Sequence, residues 1–456
     1  MFNVKVSENT EFGIPQELGA SYQSTMVNVV NTIIGAGILS IPSTIHSTGI
    51  IGSFLFLFGS LLISLLGGFY LIVAAAYTKR DSFGEIAYAL YGPTVKLLAN
   101  LTVIIYEMGV STAYFVILFD QVGDLLQAWN IADATFVYEN KWWIMYLVTL
   151  FLSVPLLSIR SLDNLKYTSF GAVICIALFV FISIYLGIAQ LVDQPLEYNY
   201  WPIDLKNVAA SIAVLSSALC FHSNVPKLVY ELRLPKKSKY TSKISKMFKI
   251  GTRAAIACTL LYYIVGVFSY IAFGKDIAGN LLTNFQQKQV WYLSIVKFAY
   301  ALVILFSNPV VAYLSVVTID RYLFTSERTY LRRLAESLVW CTVVWFLAIM
   351  VPQLDVVFSF TGSTGGILLI YVLPSLYYLA VVKRLRKRND AKSLAFVGPG
   401  WLVPGAYILI GFSILLGIVS TVSRILLLLE SCFFCLKRLP PLPITTVRAR
   451  VTKQSV

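Results

Sequence analysis

The sequence predicts an all-α polytopic membrane protein whose chain crosses the bilayer eleven times. Of its 456 residues, 58% are hydrophobic and 13% are charged, and the mean hydropathy is +0.76. Soluble domains have about 45–50% apolar and about 25% charged residues, so this chain lacks the charge to cover several soluble cores. Eleven apolar runs are long enough to cross the hydrocarbon layer, which takes about 20 residues of helix. The basic residues gather in alternate loops, as they do in multi-pass membrane proteins.

The predicted spans occupy residues 22–45, 49–77, 95–127, 142–158, 168–191, 207–227, 250–273, 289–320, 336–352, 355–381 and 401–424. The third and eighth runs each exceed 30 residues, so we expect them to be tilted or to project past the bilayer. The chain divides into a cytoplasmic N-terminal arm, a transmembrane domain made of two five-helix repeats and one extra helix, and a C-terminal tail. These parts lie at 1–21, 22–424 (repeats at about 22–191 and 207–381, extra helix at about 401–424) and 425–456.

Loop charges predict the orientation. If the N-terminus is cytoplasmic, 25 Lys and Arg residues fall on the cytoplasmic side, and only Lys141, Lys206, Lys275 and Lys288 fall on the other. This positive-inside bias accounts for the net charge of +14 without nucleic acid as a partner. The basic C-terminal tail departs from this bias, because eleven spans place it on the side opposite the cytoplasm. Either the tail is an exception on that side, or Ile425–Leu436 re-enters the membrane surface.

The first span contains features that interrupt a helix. Gly35, Ala36 and Gly37 lie at its centre, and Pro42 follows. Glycine loosens a helix, and proline removes a backbone donor. Freed backbone groups in lipid need partners in the protein or in a water-filled cavity, where half-helix N-termini attract anions and bare carbonyl groups attract cations. The segment therefore indicates a binding site at a broken helix, or a close contact between helices through small residues.

The sixth span has a similar interruption. Ser216, Ser217 and the segment His222–Asn224 break its apolar run, and Pro226 follows. This span comes five helices after the first, and because five is odd, a second five-helix unit must run opposite to the first. Matching interruptions at the start of two opposed units are typical of an inverted repeat with a binding site at the bilayer midplane. We therefore count Ser216 and Ser217 among the candidate substrate ligands.

Four stretches of sequence, in order, resemble a known family. The first helix, NVVNTIIGAGILSIP, resembles that of the amino acid/auxin permease family, especially its sodium-coupled neutral amino acid transporter branch. YELRLP at the end of the sixth helix, FSYIAFGKDIAGNLLTNF in the seventh, and DVVFSFTGSTGGILLIYVLPSLYYL in the tenth agree with that branch. The resemblance implies a LeuT-like fold of two inverted five-helix repeats with an eleventh helix. It also implies amino acid transport coupled to sodium or protons.

The resemblance also implies site residues. Asn31 matches a first-helix asparagine that supplies an oxygen to sodium in sodium-coupled members, and Ser307 matches a threonine of the eighth helix. Both side chains keep a hard oxygen, which suits a hard cation. The amino and carboxylate groups of the substrate are placed at the segment Gly35-Ala36-Gly37, with Asn28 and Thr32 nearby. No cofactor is implied other than a sodium ion as the coupling cation.

Glu107 and His222 are the candidate proton or charge sites. Glu107 lies within the third span, where a carboxylate is costly and marks a functional site by default. It could relay protons, pair with a cation or hold helices together. His222 could titrate near neutrality or form a structural hydrogen bond. Lys297, in contrast, is expected to extend its ammonium group to the outer interface.

Together these observations favour a secondary active transporter, a symporter that moves an amino acid, with a neutral one expected. Its partners would be the substrate, sodium or protons, and lipids of the plasma membrane or of a vacuolar or lysosomal membrane. An enzyme is not indicated, because the chain has two histidines and no HExxH, phosphate-loop or nucleophile-elbow motif. The alternative is a membrane amino acid sensor with little transport flux. A channel is a third hypothesis, which concentrative uptake would exclude.

Overall fold

The structure, a computed structural model, describes residues 20–129, 131, 133–158, 166–193, 197–202, 204–233, 240–288, 290–324, 326, 328–387 and 397–438. The predicted N-terminal arm up to residue 19 and the tail from residue 439 lie outside these ranges, and those predictions are not addressed by it. Within the described part of the chain, ten helices are long and apolar enough to cross a membrane. The first span, which is broken into short pieces, brings the number of spans to eleven.

The first five spans have the following bounds. The first consists of Tyr22–Ile33, a 3₁₀ turn at Ala36–Leu39 and Ile41–Thr48; the second is Ile50–Thr78; the third is Pro93–Ala128; the fourth runs through Ala134–Val148, a π turn at Thr149–Ser153 and Val154–Leu157; the fifth is Lys166–Asp193. A short helix, Phe83–Tyr91, connects the second span to the third.

The remaining six spans begin with a second broken one. The sixth consists of Leu205–Ala218, a 3₁₀ turn at His222–Asn224 and Val225–Glu231; the seventh is Tyr240–Phe273; the eighth is Trp291–Leu323; the ninth is Tyr330–Met350; the tenth runs through Leu354–Thr361, two π turns at Gly362–Gly366 and Leu368–Val372, and Leu373–Lys387; the eleventh is Leu402–Arg438. A short helix, Leu281–Gln287, precedes the eighth span.

The eleventh span is longer than predicted. It continues to Arg438, whereas the sequence placed its end at about 424. The apolar run goes on past the single charge of Arg424, and that charge is paired: Arg424 Nη1 lies 3.0 Å from Asp355 Oδ2 of the tenth span. A paired charge does not need to leave the helix for water, so the helix has no reason to end there.

The core of the molecule lies around the two broken spans. The most apolar stretches of the sixth and tenth spans are 83% and 78% buried, against 28% for the fourth, fifth, ninth and eleventh. These four spans instead expose large apolar side chains such as Phe151, Phe181, Val339 and Leu415. Such a surface suits lipid, since lipid makes no demand for polar groups. The least exposed of these spans are thus the sixth, which the sequence marks as interrupted, and the tenth, which contains two π turns.

Close approach in this core depends on glycines. A Cβ atom on Gly362 of the tenth span would lie 2.2 Å from the carbonyl oxygen of Ala213 in the sixth. A Cβ on Gly67 of the second span would lie 2.1 Å from the carbonyl oxygen of Ile370 in the tenth. Both contacts are with backbone, which cannot move aside as a side chain would. The second, sixth and tenth spans therefore pack through bare backbone, as small residues permit in membranes.

A short backbone pairing joins the first and sixth spans at one end of the molecule. The N–H of Ala20 donates to the carbonyl of Glu231 at 2.8 Å, and the N–H of Arg233 donates to the carbonyl of Ala20 at 2.9 Å. Ala20 and Leu232 thus form an isolated parallel bridge. We call this end, which also carries Lys79 and Arg80, the basic end. The first span begins there and the sixth span ends there.

Candidate substrate and ion site

The helix of the first span is interrupted where the sequence predicts. Its first half ends at Ile33, and a four-residue 3₁₀ turn, which includes Ala36 and Gly37, separates it from a second half that starts at Ile41. Pro42 lies in the first turn of that second half, where a missing N–H costs nothing. The interruption therefore leaves carbonyl groups at the end of one half-helix and N–H groups at the start of the next.

The sixth span is interrupted beside the first. Its first half ends at Ala218, and its second half starts at Val225, again with a proline in its first turn. The amide of Asn224 donates to the hydroxyl of Thr32 at 3.0 Å. A Cβ atom on Gly37 would lie 2.9 Å from the Cβ of Ala218. The two breaks are therefore in direct contact, as the inverted-repeat prediction requires.

Three buried tyrosines surround these breaks. The hydroxyl of Tyr262, in the seventh span, donates to the carbonyl of Ile33 at 2.5 Å and lies 3.3 Å from the carbonyl oxygen of Ala218. Tyr300, in the eighth span, donates to the carbonyl of Gly35 at 3.0 Å. Tyr300 thus satisfies a backbone acceptor at the break, and Tyr262 adds a second donor to the carbonyl of Ile33, which also accepts from the N–H of Gly35 at 2.8 Å.

The third tyrosine approaches the break from another side. A Cβ atom on Gly35 would lie 2.8 Å from the hydroxyl of Tyr114 in the third span. Sequence analysis missed these three tyrosines. The available signal was weak: a tyrosine in the middle of a membrane span needs a partner for its hydroxyl, but sequence does not identify that partner.

The predicted substrate residues of the first span differ in position. Ala36 and Gly37 are buried at the break, and Gly35 is half-buried. Thr32 donates to the carbonyl of Asn28 at 2.8 Å while accepting from the sixth span. The side chain of Asn28 is exposed, two helical turns before the break. The structure thus places four of these five residues at or beside the break, and substrate contact stays a prediction for all of them.

The two predicted serines of the sixth span are buried just before its break. Ser217 has no hydrogen-bond partner for its hydroxyl among the described residues. The hydroxyl of Tyr106 lies 3.5 Å from the carbonyl oxygen of Ser217. Ser217 also packs against the tenth span, since a Cβ on Gly362 would lie 3.1 Å from the Cβ of Ser217. Ser216 is likewise buried.

The predicted cation ligands, Asn31 and Ser307, are both half-buried. No hydrogen bond joins their side chains to each other or to any other described residue. Ser307 lies two turns from Tyr300, which contacts the break of the first span. Their shared role in binding a cation stays a prediction.

Glu107 is buried in the third span and accepts a hydrogen bond from the hydroxyl of Ser315 in the eighth. Within the described ranges, no Lys, Arg or His nitrogen lies within 4.0 Å of its carboxyl group. The contact with Ser315 therefore connects two spans without neutralising a charge. Of the roles that the sequence left open for Glu107, holding helices together is visible in this contact, and the proton role stays a prediction.

His222 faces the second span. Its Nε2 lies 3.1 Å from the carbonyl oxygen of Ser64, and because a carbonyl only accepts, this nitrogen carries the hydrogen. Its Nδ1 is buried and has no partner among the described residues. Gly67 leaves room for the ring, since a Cβ there would lie 3.4 Å from Nε2. His222 thus anchors the break of the sixth span to the second span and keeps one ring nitrogen unpartnered.

Lys297 does not extend to the interface as predicted. It is 3% exposed, and its Nζ lies 3.3 Å from Asp124 Oδ2 of the third span. A lysine side chain extends toward water when no counter-charge lies nearer. Here the carboxylate of Asp124, on the neighbouring third span, provides that counter-charge. A cavity of about 530 Å³ lies next to this pair and is lined in part by Asp120, Asp124 and Lys141.

Comparison with known proteins places these features in a family. A family model described as "Transmembrane amino acid transporter protein" matches residues 19–418. Amino acid transporter AVT6E of Arabidopsis thaliana is 25% identical, with 89% of this chain and 83% of the relative covered. Vacuolar amino acid transporter 5 of Schizosaccharomyces pombe is 26% identical, with 79% and 84% covered. Sodium-coupled neutral amino acid symporter 2 of Danio rerio is 23% identical, with 84% and 80% covered.

Solved structures of the same fold include a manganese transporter of Eremococcus coleocola. It has a TM-score of 0.56 at 13% identity, with 93% of this chain and 90% of that one covered. MhsT in complex with L-phenylalanine has a TM-score of 0.55 at 13% identity, with 88% and 98% covered. These likenesses confirm the predicted fold class: a LeuT-like arrangement of two inverted five-helix repeats with one extra helix.

Proposed function

Because this chain belongs to the transmembrane amino acid transporter family, we propose that it is a secondary active transporter, a symporter that moves neutral amino acids by alternating access. Transport of amino acids and the absence of enzymatic activity follow from the family. The neutral cargo, the coupling to sodium or protons and the choice of membrane are our proposals. A relative named as a sodium-coupled neutral amino acid symporter supports the first two.

The observation that carries the proposal is the side-by-side position of the two breaks. An amino acid presents an ammonium group, which suits carbonyl oxygens, and a carboxylate, which suits the N–H groups of a half-helix start. The carbonyls of Ile33 and Gly35 each accept one tyrosine hydroxyl. A carbonyl oxygen has two lone pairs, so the carbonyl of Gly35 can still accept from an ammonium group, whereas that of Ile33 also accepts from the N–H of Gly35. The start of the second half at Ile41 offers the N–H groups.

We propose that Asn31 and Ser307 bind the coupling cation between the first and eighth spans. Glu107 and His222 are the groups that could carry a proton instead. A ligand shifts the balance between outward-open and inward-open states only by its different affinity for the two. A cation that bridges two spans in one state supplies such a difference.

We further propose that the N-terminus is cytoplasmic, which places the basic end on the cytoplasmic side. The membrane is the plasma membrane or a vacuolar or lysosomal membrane. A relative named as a vacuolar transporter supports the second choice. Lipids surround the exposed apolar surface, and no nucleic acid is a partner.

The test is uptake by the purified protein in proteoliposomes. A panel of labelled amino acids is offered while sodium and pH gradients are imposed separately. We expect saturable, concentrative uptake and counterflow of at least one neutral amino acid. Saturable binding without counterflow would instead identify the sensor, the alternative function, and uptake that never exceeds equilibrium would identify a channel.

The ion site is tested in the same vesicles. Asn31→Ala and Ser307→Ala should weaken the dependence of uptake on the cation gradient. Ser337→Ala, which removes a buried hydroxyl from the ninth span, is the matched control and should leave that dependence unchanged. If both ion-site variants keep the dependence of the unmodified protein, the assignment of Asn31 and Ser307 is wrong.

A further inference from the structure

The third and eighth spans run antiparallel and are bonded to each other at three levels. These cross-span pairs are Asn100 with Tyr322 at 2.9 Å, Glu107 with Ser315, and Asp124 with Lys297 at 3.3 Å. Seven residues separate the first two pairs on the third span, and seven separate them on the eighth. From the second pair to the third, the steps are 17 and 18 residues. The two helices therefore stay in register along their shared interface.

This register brings Ser111 and Asn308 to the same interface, one to two turns beyond the pair of Glu107 and Ser315. Ser111 is four residues from Glu107, and Asn308 is seven from Ser315, and both spacings return to the same helix face. The steps correspond to about 6 Å and about 10 Å along the axes. Helical side chains lean toward their own N-terminus, so Glu107 and Ser315 meet although Ser315 starts nearer the basic end. Ser111 and Asn308 therefore both lie beyond the pair of Glu107 and Ser315, on the side away from the basic end.

Both residues are buried with unsatisfied polar atoms. Ser111 is 0% exposed and Asn308 is 1% exposed. The hydroxyl of Ser111 and both amide atoms of Asn308 have no hydrogen-bond partner among the described residues. Pro309, inside the eighth span, has no N–H for the carbonyl of Leu305. Leaving a buried polar group unpaired is costly, so this cluster indicates a site that binds small polar species.

The carboxyl group of Glu107, on the same interface, indicates which small polar species binds there. Glu107 has no cationic partner in the described part of the chain, and the titratable group that faces it from the break of the sixth span is the thiol of Cys220. Its partner from the eighth span, Ser315, is neutral. A buried carboxylate without a cation becomes neutral most simply by binding a proton, and buried polar groups without protein partners are typically bonded to ordered water.

We propose that Glu107 binds the coupled proton in a buried, hydrated site completed by Ser111, Asn308 and Ser315. Water delivers the proton from one side of the membrane, an O–H bond forms on the carboxylate, and the same proton leaves to water on the other side. No other reactant is needed. This inference rests on the proposed transport function and makes a proton a coupling ion, at a site separate from that of Asn31 and Ser307.

The first experiment detects the proton without requiring transport. Infrared difference spectra of the reconstituted protein at neutral pH, the unmodified protein minus Glu107→Gln, should contain the carbonyl stretch of a protonated carboxylic acid. Ser111→Ala and Asn308→Ala should shift that band, because they remove its hydrated surroundings. Ser337→Ala should not. A difference spectrum with only carboxylate bands would overturn the inference, whether or not the protein transports anything.

The second experiment measures coupling. A pH dye trapped in the vesicles reports proton entry driven by an amino acid gradient in sodium-free buffer. For Glu107→Gln we expect proton flux to fall by about tenfold or more relative to amino acid exchange measured in the same vesicles at equal pH. Ser111→Ala and Asn308→Ala should slow the flux by about fivefold each, the effect of one lost hydrogen bond.

The outcomes separate the two proposals. Exchange without any proton flux in the unmodified protein would refute the proton site and leave the transport function standing. No exchange of any amino acid would refute the transport function, and the infrared band would still decide whether Glu107 holds a proton. Equal loss of proton flux and exchange in Glu107→Gln, with the band present, would assign Glu107 to structure and refute its coupling role.

Discussion

Substitution of Gly37 tests whether the contact between the two breaks is needed for function. A Cβ atom on Gly37 would lie 2.9 Å from the Cβ and 3.0 Å from the Cα of Ala218. Carbon atoms pack at about 3.5–4.0 Å, so Gly37→Ala must separate the spans by roughly 0.5–1 Å. Overpacking of this kind costs about 1–3 kcal/mol. The arrangement in which the two breaks are in contact should then be populated about 5- to 150-fold less, the factor that corresponds to that energy.

The assay is counterflow of a labelled amino acid, normalised to the amount of monodisperse protein. We expect a reduction of at least about fivefold for Gly37→Ala, by the same conversion. Gly59→Ala is the matched control, because a Cβ on Gly59 of the second span meets nothing within 4 Å. Ala218→Gly, combined with Gly37→Ala, should restore part of the rate by removing the methyl group that clashes. Normal counterflow in Gly37→Ala, or no recovery in the double variant, would refute the steric argument.

Two further predictions concern a tyrosine beside this contact and the ion pair between the third and eighth spans. Tyr262→Phe should slow exchange about fivefold, because one hydroxyl that contacts the carbonyls of both Ile33 and Ala218 is lost. Tyr263→Phe, which removes a hydroxyl bonded outside the breaks, should have little effect. Equal rates in the two variants would contradict this. Lys297→Met should destabilise the protein by about 3 kcal/mol, because Asp124 is left buried without its partner, and adding Asp124→Asn should recover most of that loss in thermal unfolding. A single variant as stable as the unmodified protein would show that the pair contributes nothing.

The broken helices were predictable because their cause is local. Glycine and proline change the backbone at their own positions, so Gly35, Gly37 and Pro42 indicate an interruption without knowledge of any neighbour. The inverted arrangement needed only a count of spans between two such interruptions. The tyrosines around the breaks could not be predicted, because the acceptors of Tyr262 and Tyr300 are backbone atoms of other spans.

The predictions for Lys297 and for the end of the eleventh span were wrong for the same reason: each residue's partner lies on another span. Lys297 was expected at the interface because it lies ten residues before Ser307, about 15 Å along the helix. Its counter-charge, Asp124, is supplied by the third span, 173 residues away. The eleventh span was expected to end near Arg424 because a lone charge often ends an apolar run. Asp355, on the tenth span, pairs with it instead. Pairings between spans set both outcomes.

The bridge between Ala20 and Leu232 consists of main-chain atoms only. Most exchanges of side chain at these positions would leave it intact, so a survey of residue identities would overlook it. Proline at position 20 or 233 is the exception, because it lacks the N–H that each donor position supplies. Movement of the first half of the first span must therefore carry the second half of the sixth span with it, or break these two hydrogen bonds.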